Sequence, residues 1–424
     1  MRSRIQLLFK SPFVRNTGKI ATGTALAQLI TLGTMPFLTR LYGPEAFGIY
    51  GVMMAIVAPL TVIANGRYDL AIVLPKSDAA AASLLRLTFR LAIIISLVVG
   101  LLVFLGRHAI AASFDNPSFE YLFWFVPLFV LFNAWNESQA NWVLRKKEFG
   151  HLTKSAPLAA TAAGGLAIGL GLFFGTPASL LIGNLANPLT SLIYLRACSR
   201  VALRAIGPLQ GTARVAGEYR EFPIYRVPQD ILNALSQSVI GMLLAYYFSP
   251  AMMAQYWLAH RVVAAPLGLI SGAVGHVFYQ RSAALKNEDK DLYPELKQKT
   301  LGLAIVSIPL FTVGAIAVPY IFPLLFGPEW LDAGAAASWI TLWIGTMFIN
   351  SPSVKALDVY RLQKFKLIYG IFVLVLRVTV VVIFAQQGNF LHTVAAFCIA
   401  GAFVNIVLIA ATLAYSKKLG ARFQ

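Results

Sequence analysis

Long apolar runs, separated by charged or turn-forming residues, repeat along almost the whole sequence. A helix needs about 20 mostly apolar residues to cross the hydrocarbon core of a bilayer, and Gly, Pro and charged clusters end such runs. The pattern therefore predicts an all-α integral membrane protein with twelve transmembrane helices. The predicted spans are residues 20–41, 46–65, 83–105, 119–143, 156–174, 178–195, 228–248, 253–278, 300–322, 333–352, 367–385 and 392–414.

Two short sequence echoes divide the chain into halves. RLYGPEAFGIYG at 40–51 resembles YYFSPAMMAQYW at 246–257, and RKKEF at 145–149 resembles RLQKF at 361–365. Because six spans per half give both halves the same orientation, we predict a parallel pseudo-repeat about an axis along the membrane normal, with the substrate path between the lobes and alternating access by rocking. The predicted six-helix lobes are residues 1–205 and residues 206–424.

The composition supports a membrane protein and excludes a large soluble domain. Of the 424 residues, 58% are hydrophobic and 12% are charged, and the mean hydropathy is +0.71, which lies far outside the usual globular balance. Cys198 and Cys398 have no His or Cys partners at ligand spacing, so we expect two inert thiols and neither a disulfide nor a metal site.

Lysine and arginine lie almost entirely in alternate connectors and at the two termini. The opposite side holds only Arg40 and Arg107, and Arg261 and Arg377 lie within apolar runs. Since cytoplasmic loops hold the excess of basic residues, both termini are predicted to be cytoplasmic and the protein to be multi-pass in the bacterial inner membrane. The asymmetry explains the net charge of +18 without a nucleic-acid partner, and it favours contact with anionic membrane lipids.

Arg261 is the first candidate for substrate binding. It lies about 12 Å inside its helix at ~1.5 Å per residue, where an arginine costs on the order of 2.5–3.5 kcal/mol and should face a bundle interior or a wet cavity. The alternative is a structural arginine bonded to carbonyls near Pro266. The small residues Gly268 and Gly272 that follow are more typical of close helix packing.

Arg377 and Glu137 are the other charged residues well inside predicted spans. Arg377 lies near the bilayer midplane, where a ligand contact and a buried ion pair with an acid on another helix are equally good interpretations. Glu137 is the one acid available for such a pair, and it is also our candidate for coupling to H⁺ or Na⁺.

Polar residues follow one face of the first helix in each half. Gln28 lies on one of these helices, and Asn233 and Gln237 lie on the other. Interhelical hydrogen bonds explain such residues, but their occurrence on equivalent helices makes them candidates for substrate binding, as is Arg40 at an outer helix end. Arg67 and Asp69, at an inner helix end, are interpreted as a snorkelling pair.

Several chemistries are missing from the sequence. There is no GxxxxGK[ST] phosphate loop, so ATP use is not expected. No cluster of His, Cys and Asp suggests a metal, and the outward loops are too short for a glycosyl-transfer site with paired carboxylates. We therefore expect a transporter without a cofactor and not an enzyme.

Three loop motifs resemble the polysaccharide-biosynthesis family, which includes the Wzx-type O-antigen flippases of the multidrug/oligosaccharidyl-lipid/polysaccharide exporter superfamily. They are TRLYGPEAFGIYG at 39–51, RYDLAIVLPKS at 67–77 and LFGPEWLDAG at 325–334. The resemblance implies twelve helices in two lobes. It also implies flipping of an undecaprenyl-diphosphate-linked oligosaccharide, such as an O-antigen repeat unit for lipopolysaccharide, from the cytoplasmic to the periplasmic leaflet.

Arg261 also resembles an arginine of the related lipid II flippases, which precedes Pro-Leu-Gly and lines a cationic cavity; here Pro266-Leu267-Gly268 follows at the same spacing. The implied role is to hold diphosphate oxygens in a cationic cavity between the lobes. A polysaccharide polymerase and chain-length machinery are further candidate partners.

Three alternative functions remain at this point. A cation-coupled multidrug exporter of the same superfamily should place acids in its cavity, and only Glu137 qualifies. A lipid II flippase usually has fourteen helices and further arginines in its first two helices. A membrane glycan polymerase should carry a large outward loop. The sugar, the coupling ion and the oligomeric state are left open.

The predicted topology can be tested by thiol labelling of single-cysteine variants. We expect cysteines at Lys147 and Lys290 to react from the cytoplasm, and cysteines at Glu45 and Asp332 to react from the periplasm, because the basic connectors stay inside. Labelling of all four positions from one side would contradict the topology.

Overall fold

The computed structural model describes residues 12–113, 116–199, 211–287, 291–360 and 362–420. Within these ranges the chain forms helices and turns only, which confirms the all-α class. The α-helices are α1 (Pro12–Asn65), α2 (Tyr68–Ala71), α3 (Asp78–Ser113), α4 (Phe119–Leu122), α5 (Phe125–Arg145), α6 (Phe149–Phe173), α7 (Pro177–Cys198), α8 (Thr212–Glu218), α9 (Val227–Tyr247), α10 (Pro250–Asn287), α11 (Tyr293–Phe326), α12 (Leu331–Val359), α13 (Gln363–Ala385) and α14 (Phe390–Gly420); a π-helical turn covers Phe222–Arg226 and a 3-10 turn covers Pro328–Trp330.

Seven helices in the described part of the chain are long and apolar enough to cross a membrane. They are Ala21–Asn65, Asp78–Ala109, Phe149–Phe173, Pro177–Cys198, Tyr293–Phe326, Lys364–Ala385 and Phe390–Leu419. The chain is therefore a multi-pass membrane protein. The count of twelve spans and the cytoplasmic position of both termini stay predictions.

The first two predicted spans lie in α1 as two helical segments that meet at a non-helical kink. Gly43 has φ 65° and ψ 174° inside α1 and is followed by Pro44. A positive φ suits glycine, which lacks a Cβ atom, and proline removes a helical hydrogen bond. The break therefore falls between residues 41 and 46, where the sequence predicts it.

The structure also contains elements that the sequence pattern did not predict. The short helix α2 follows the end of α1, and α8 and the π-helical turn lie within the predicted connector 196–227. Val215 of α8 is fully buried in a cluster with Trp142 of α5 and Leu84 of α3. This connector is thus anchored to the helices that precede it.

The chain divides into two compact units, Met1–Met242 and Leu243–Gln424. The division falls within α9, and the lobe boundary predicted between residues 205 and 206 stays a prediction.

Close packing of α1, α6 and α7 forms the centre of the first unit, and it depends on small residues. The Tyr42 hydroxyl donates to the Ala167 carbonyl at 2.6 Å. A Cβ added at Gly183 would lie 2.6 Å from the Ala167 Cα, so the α6 and α7 backbones approach too closely for any larger side chain.

In the second unit, α12 is the central helix and packs against α10, α11 and α14. Gln255 of α10 bonds to the 3-10 turn that precedes α12 and to the first turn of α12. Its amide N–H donates to the Glu329 carbonyl at 2.8 Å, and its amide oxygen accepts from the Ala333 N–H at 2.9 Å. Near the other end, Asn350 donates to Asn405 at 3.1 Å, and Asn405 donates to Thr346 at 2.9 Å. These bonds fix α12 against its neighbours.

We expect Gly183→Ala to destabilise the protein by about 1–3 kcal/mol, since overpacking at a backbone contact forces the helices apart. Gly165→Ala is the matched control, because a Cβ there meets no atom within 4 Å. Thermal unfolding in detergent measures both variants, and equal midpoints would contradict the packing.

Candidate functional site

Arg377 lies on α13 and places its guanidinium group among aromatic rings of the second unit. The Arg377 Cζ is 5.2 Å from the ring centroid of Trp343 on α12 and 5.5 Å from that of Phe397 on α14. A cation within about 6 Å of a ring centroid is attracted by the negative face of the ring. This attraction offsets part of the cost of placing a charge inside a transmembrane helix.

Two side chains of α10 extend the aromatic cluster. Tyr256 lies 6.2 Å from Phe397, and His260 lies 6.0 Å from Trp343, measured between ring centroids. Trp343 and Phe397 are themselves 5.2 Å apart at 75°, which is a favourable edge-to-face arrangement. Helices α10, α12 and α14 of the same unit therefore surround Arg377 of α13.

The polar atoms of this cluster include donors without acceptors. The Nε atom of Arg377 and the Nε1 atom of Trp343 are both buried, and neither has a hydrogen-bond partner. Within the described residues, no carboxylate forms an ion pair with Arg377. A buried guanidinium with a free donor is suited to bind an anionic oxygen, because charge-assisted bonds to arginine are strong and directional.

Arg261 lies on α10 of the same unit. Its Cζ is 4.8 Å from the ring centroid of Trp257, one helical turn earlier. For Pro266, Gly268 and Gly272 the structure describes only the helical backbone. The structural alternative, in which Arg261 bonds carbonyls near Pro266, therefore stays untested.

Glu137 is bound by residues of the first unit. The Asn65 amide donates to the Glu137 Oε2 atom at 3.0 Å, Ser138 donates to the Asn65 Oδ1 atom at 3.2 Å, and the Arg67 Nη1 atom lies 3.9 Å from Oε2. The polar surroundings of Glu137 thus come from the end of α1 and from α5. Its role in ion coupling stays a prediction.

The remaining predicted site residues are also in the first unit. Gln28 is half-buried and Arg40 is exposed on α1, while Asn233 and Gln237 are exposed on α9. Gln237 donates to Asn233 at a long 3.4 Å. The structure thus places two of the predicted arginines in one unit and the predicted polar residues and Glu137 in the other.

One interpretation of the sequence is wrong. Asp69 is only 1% exposed, and Arg67 forms its ion pairs with Asp230 at 2.8 Å and with Glu137 at 3.9 Å. Arg67 and Asp69 are therefore not a snorkelling surface pair. Asp230, one turn before Asn233 on α9, is the ion-pair partner of Arg67 instead.

Sequence reasoning also missed the aromatic residues around Arg377. Trp343 and Phe397 lie in apolar runs where any large side chain satisfies the pattern, so periodicity carries no signal for them.

Both cysteines are free, as expected. Among the described residues, no group of three or more His, Cys, Asp and Glu side chains is placed to hold a metal ion.

The chain is similar to known membrane transporters in sequence and in fold. The family described as polysaccharide biosynthesis protein matches residues 37–335. The succinoglycan biosynthesis transport protein ExoT of Rhizobium meliloti (strain 1021) is 22% identical over 327 residues, which cover 77% of this chain and 64% of that relative. The chain therefore spans somewhat less than two thirds of the curated relative it matches.

Two solved structures have the same fold. The lipid II flippase MurJ in an inward closed conformation matches with a TM-score of 0.74 at 13% identity, covering 95% of this chain and 90% of that chain. An inward-facing multidrug resistance transporter of the MATE family, in the MOP superfamily, matches with a TM-score of 0.69 at 15% identity, covering 92% and 95%. At these identities the likeness establishes the fold alone.

The surroundings of Arg377 predict an unusual response to mutation. Replacing a buried charge by an apolar residue of similar volume is often neutral or stabilising, so we expect Arg377→Met to leave the unfolding midpoint unchanged or to raise it. Trp343→Leu should lower the midpoint, because it removes one of the two rings beside the guanidinium, a contact worth about 0.5–2 kcal/mol. A large loss of stability in Arg377→Met would identify a structural arginine instead.

Proposed function

Because the chain belongs to the polysaccharide biosynthesis protein family, which matches residues 37–335, we propose that it is a flippase for a lipid-linked oligosaccharide. The proposed substrate is an undecaprenyl-diphosphate-linked repeat unit, of O-antigen or a related polysaccharide. It is moved from the cytoplasmic to the periplasmic leaflet of the inner membrane. The similarity to ExoT, a succinoglycan biosynthesis transport protein, supports a glycan-linked substrate.

The observation that carries this proposal is the guanidinium of Arg377. It lies in a transmembrane helix, has its Cζ within 5.5 Å of two aromatic ring centroids and has a buried Nε donor without an acceptor. A diphosphate supplies several oxygens that accept hydrogen bonds from such a group. The planar fork of arginine can bind two of these oxygens while its face stays on the rings.

Arg261 is proposed as a second contact for the diphosphate or for acidic sugars. Its guanidinium also lies against an aromatic ring, that of Trp257, which orients the planar group. Gln28, Asn233 and Gln237 are proposed to bind sugar hydroxyls, since amides both donate and accept hydrogen bonds. Alternating access stays a prediction from the sequence repeat.

The distribution of acids favours an anionic substrate over a cationic drug. Among the described residues from Leu243 onward, every Asp and Glu lies in a connector or near a helix end. Glu137, in the first unit, already accepts a hydrogen bond from Asn65 and faces Arg67. A carboxylate in these surroundings is poorly suited to pair with a cationic drug.

We predict that Arg261→Ala abolishes most surface glycan in a flippase-deleted cell and that Arg261→Lys loses much of it, because lysine keeps the charge but lacks the planar fork. Membrane levels of both variants, quantified by immunoblotting, should equal the wild-type level. An abundant and fully active Ala variant would remove Arg261 from the mechanism.

We predict the same order of activity, wild type above Lys above Met, for substitutions at Arg377. Arg107→Ala is the matched control, because Arg107 also stacks on an aromatic ring, that of Phe104 at 5.3 Å, but lies at a helix end. Surface glycan and drug susceptibility are measured in the same strains. A chain that restores drug resistance without restoring glycan would support the multidrug exporter instead.

A further inference from the structure

The first unit contains a cluster of ionisable side chains at the end of α1. Gly66 and Arg67 have consecutive positive φ values of 53° and 55° and turn the chain from α1 into α2. A non-glycine residue in this left-handed region is strained by about 1–2 kcal/mol, so Arg67 holds this conformation only because its surroundings fix it. Its side chain is 18% exposed and points to Asp230 and Glu137.

Asp69, on α2, is the most deeply buried carboxyl of the cluster. It is 1% exposed, and its Oδ2 atom accepts a hydrogen bond from the Asn141 amide at 3.2 Å. Its Oδ1 atom is buried and has no hydrogen-bond partner. Such an oxygen is costly to leave unpaired when the carboxyl is ionised. Burial accordingly raises the pKa of Asp69 above its ordinary value.

Charged groups from every neighbouring element surround Asp69. Arg67 begins its own helix, α5 contributes a carboxyl that repels Asp69, and α9 contributes Asp230. The charged side chains described near α2 include Arg67, Asp78 of α3, Glu137, Arg145 and Lys146 of α5, Arg226 of the π-helical turn and Asp230 of α9. Asp78 pairs with both Arg145 and Lys146, so these three groups together carry one net positive charge.

The charges that remain do not balance. Asp230 accepts ion pairs from Arg67 at 2.8 Å and from Arg226 at 3.0 Å. With Asp69 and Glu137 also ionised, three negative charges face two positive ones in this described subgroup. A proton on Asp69 therefore makes the subgroup neutral.

We propose that this cluster is a binding site for one proton, that Asp69 is the proton acceptor, and that proton occupancy selects the partner of Arg67. With Asp69 neutral, Arg67 pairs with Asp230, as in the structure. With Asp69 ionised, the negative charge beside Arg67 competes for its guanidinium and weakens the bond to Asp230. Glu137, whose Oε2 atom lies 3.9 Å from the Arg67 Nη1 atom, is a further carboxyl that faces Arg67.

The geometry explains why occupancy should alter the Arg67–Asp230 contact. Although the Arg67 Nε and Asp230 Oδ2 atoms are 2.8 Å apart, this N–H is not aligned for a hydrogen bond. The contact is thus an ion pair without the directional part of the interaction. Arg67 can exchange partners without breaking a well-formed hydrogen bond. The site is defined by its own groups, and the inference stands whatever molecule the protein transports.

The first test is the pH dependence of thermal unfolding for the purified full chain in detergent. A carboxyl whose pKa is raised on folding stabilises the protein below its ordinary pKa of about 3.9, and this contribution is lost as the pH rises through the raised value. We expect the wild-type midpoint to fall across that range by about 2–4 °C more than the midpoint of Asp69→Asn. Glu218→Gln, which alters an exposed carboxyl of α8, is the control and should keep the wild-type slope.

A second variant distinguishes titration of Asp69 from a general loss of folding. Asn141→Ala removes the donor to the ionised carboxylate, and this loss should raise the pKa of Asp69 further. The pH-dependent fall should therefore move to higher pH in Asn141→Ala and be smaller in Asp69→Asn than in the wild type. An unchanged slope in both variants would overturn the proposal.

The exchange of partners is tested by a double-mutant cycle with Arg67→Gln and Asp230→Asn. The coupling between the two positions, measured as the non-additive part of the midpoint shifts, should be larger at pH 5 than at pH 8. Equal coupling at both pH values would overturn the exchange.

The last experiment replaces NaCl by choline chloride and measures the unfolding midpoint again. A Na⁺-specific stabilisation that is lost in Asp69→Asn would assign the site to sodium and contradict a proton site.

Discussion

Placing a charged side chain in the middle of a bilayer costs about 2.5–3.5 kcal/mol on insertion scales, and this cost governs how the described helices are built. Most charges lie in connectors and at helix ends. The long helices expose apolar side chains such as Leu97, Leu105, Ile305 and Phe372, as expected for helices that face lipid. Where a charge does lie inside a helix, the structure surrounds it with compensating groups.

The two units meet this cost with different chemistry. In the second unit, Arg377 is stabilised by the rings of Trp343 and Phe397, and its buried Nε donor is not consumed by the protein. In the first unit, Glu137 is held by Asn65, and Arg67 is held by carboxylates. The proposed diphosphate contact and the proposed proton site thus use separate groups of residues, one in each unit.

Much of the fold follows from the sequence, because the apolar runs can be satisfied only by helices in a bilayer. The kink at Gly43 was predictable from Gly-Pro, and Arg377 and Glu137 were predictable as charges within apolar runs. The partners of these charges were not. Trp343 and Phe397 lie on the helices before and after that of Arg377, where periodicity does not say which side chains meet, and the separation of 72 residues between Asn65 and Glu137 leaves no periodic signal. Arg67 was assigned the wrong partner because proximity in sequence favoured Asp69, whereas the turn at Gly66 directs it to Asp230.

Translocation by the wild-type chain in proteoliposomes tests the central claim most directly. An undecaprenyl-diphosphate-linked oligosaccharide with a fluorescent sugar is placed in both leaflets, and the fraction open to an external quencher is followed over time. If the chain flips this lipid, quenching proceeds to near completion with the protein and stops at about half without it. Added undecaprenyl diphosphate then slows the quenching. Quenching that stops at half in both samples, while a cationic dye is transported, would contradict it.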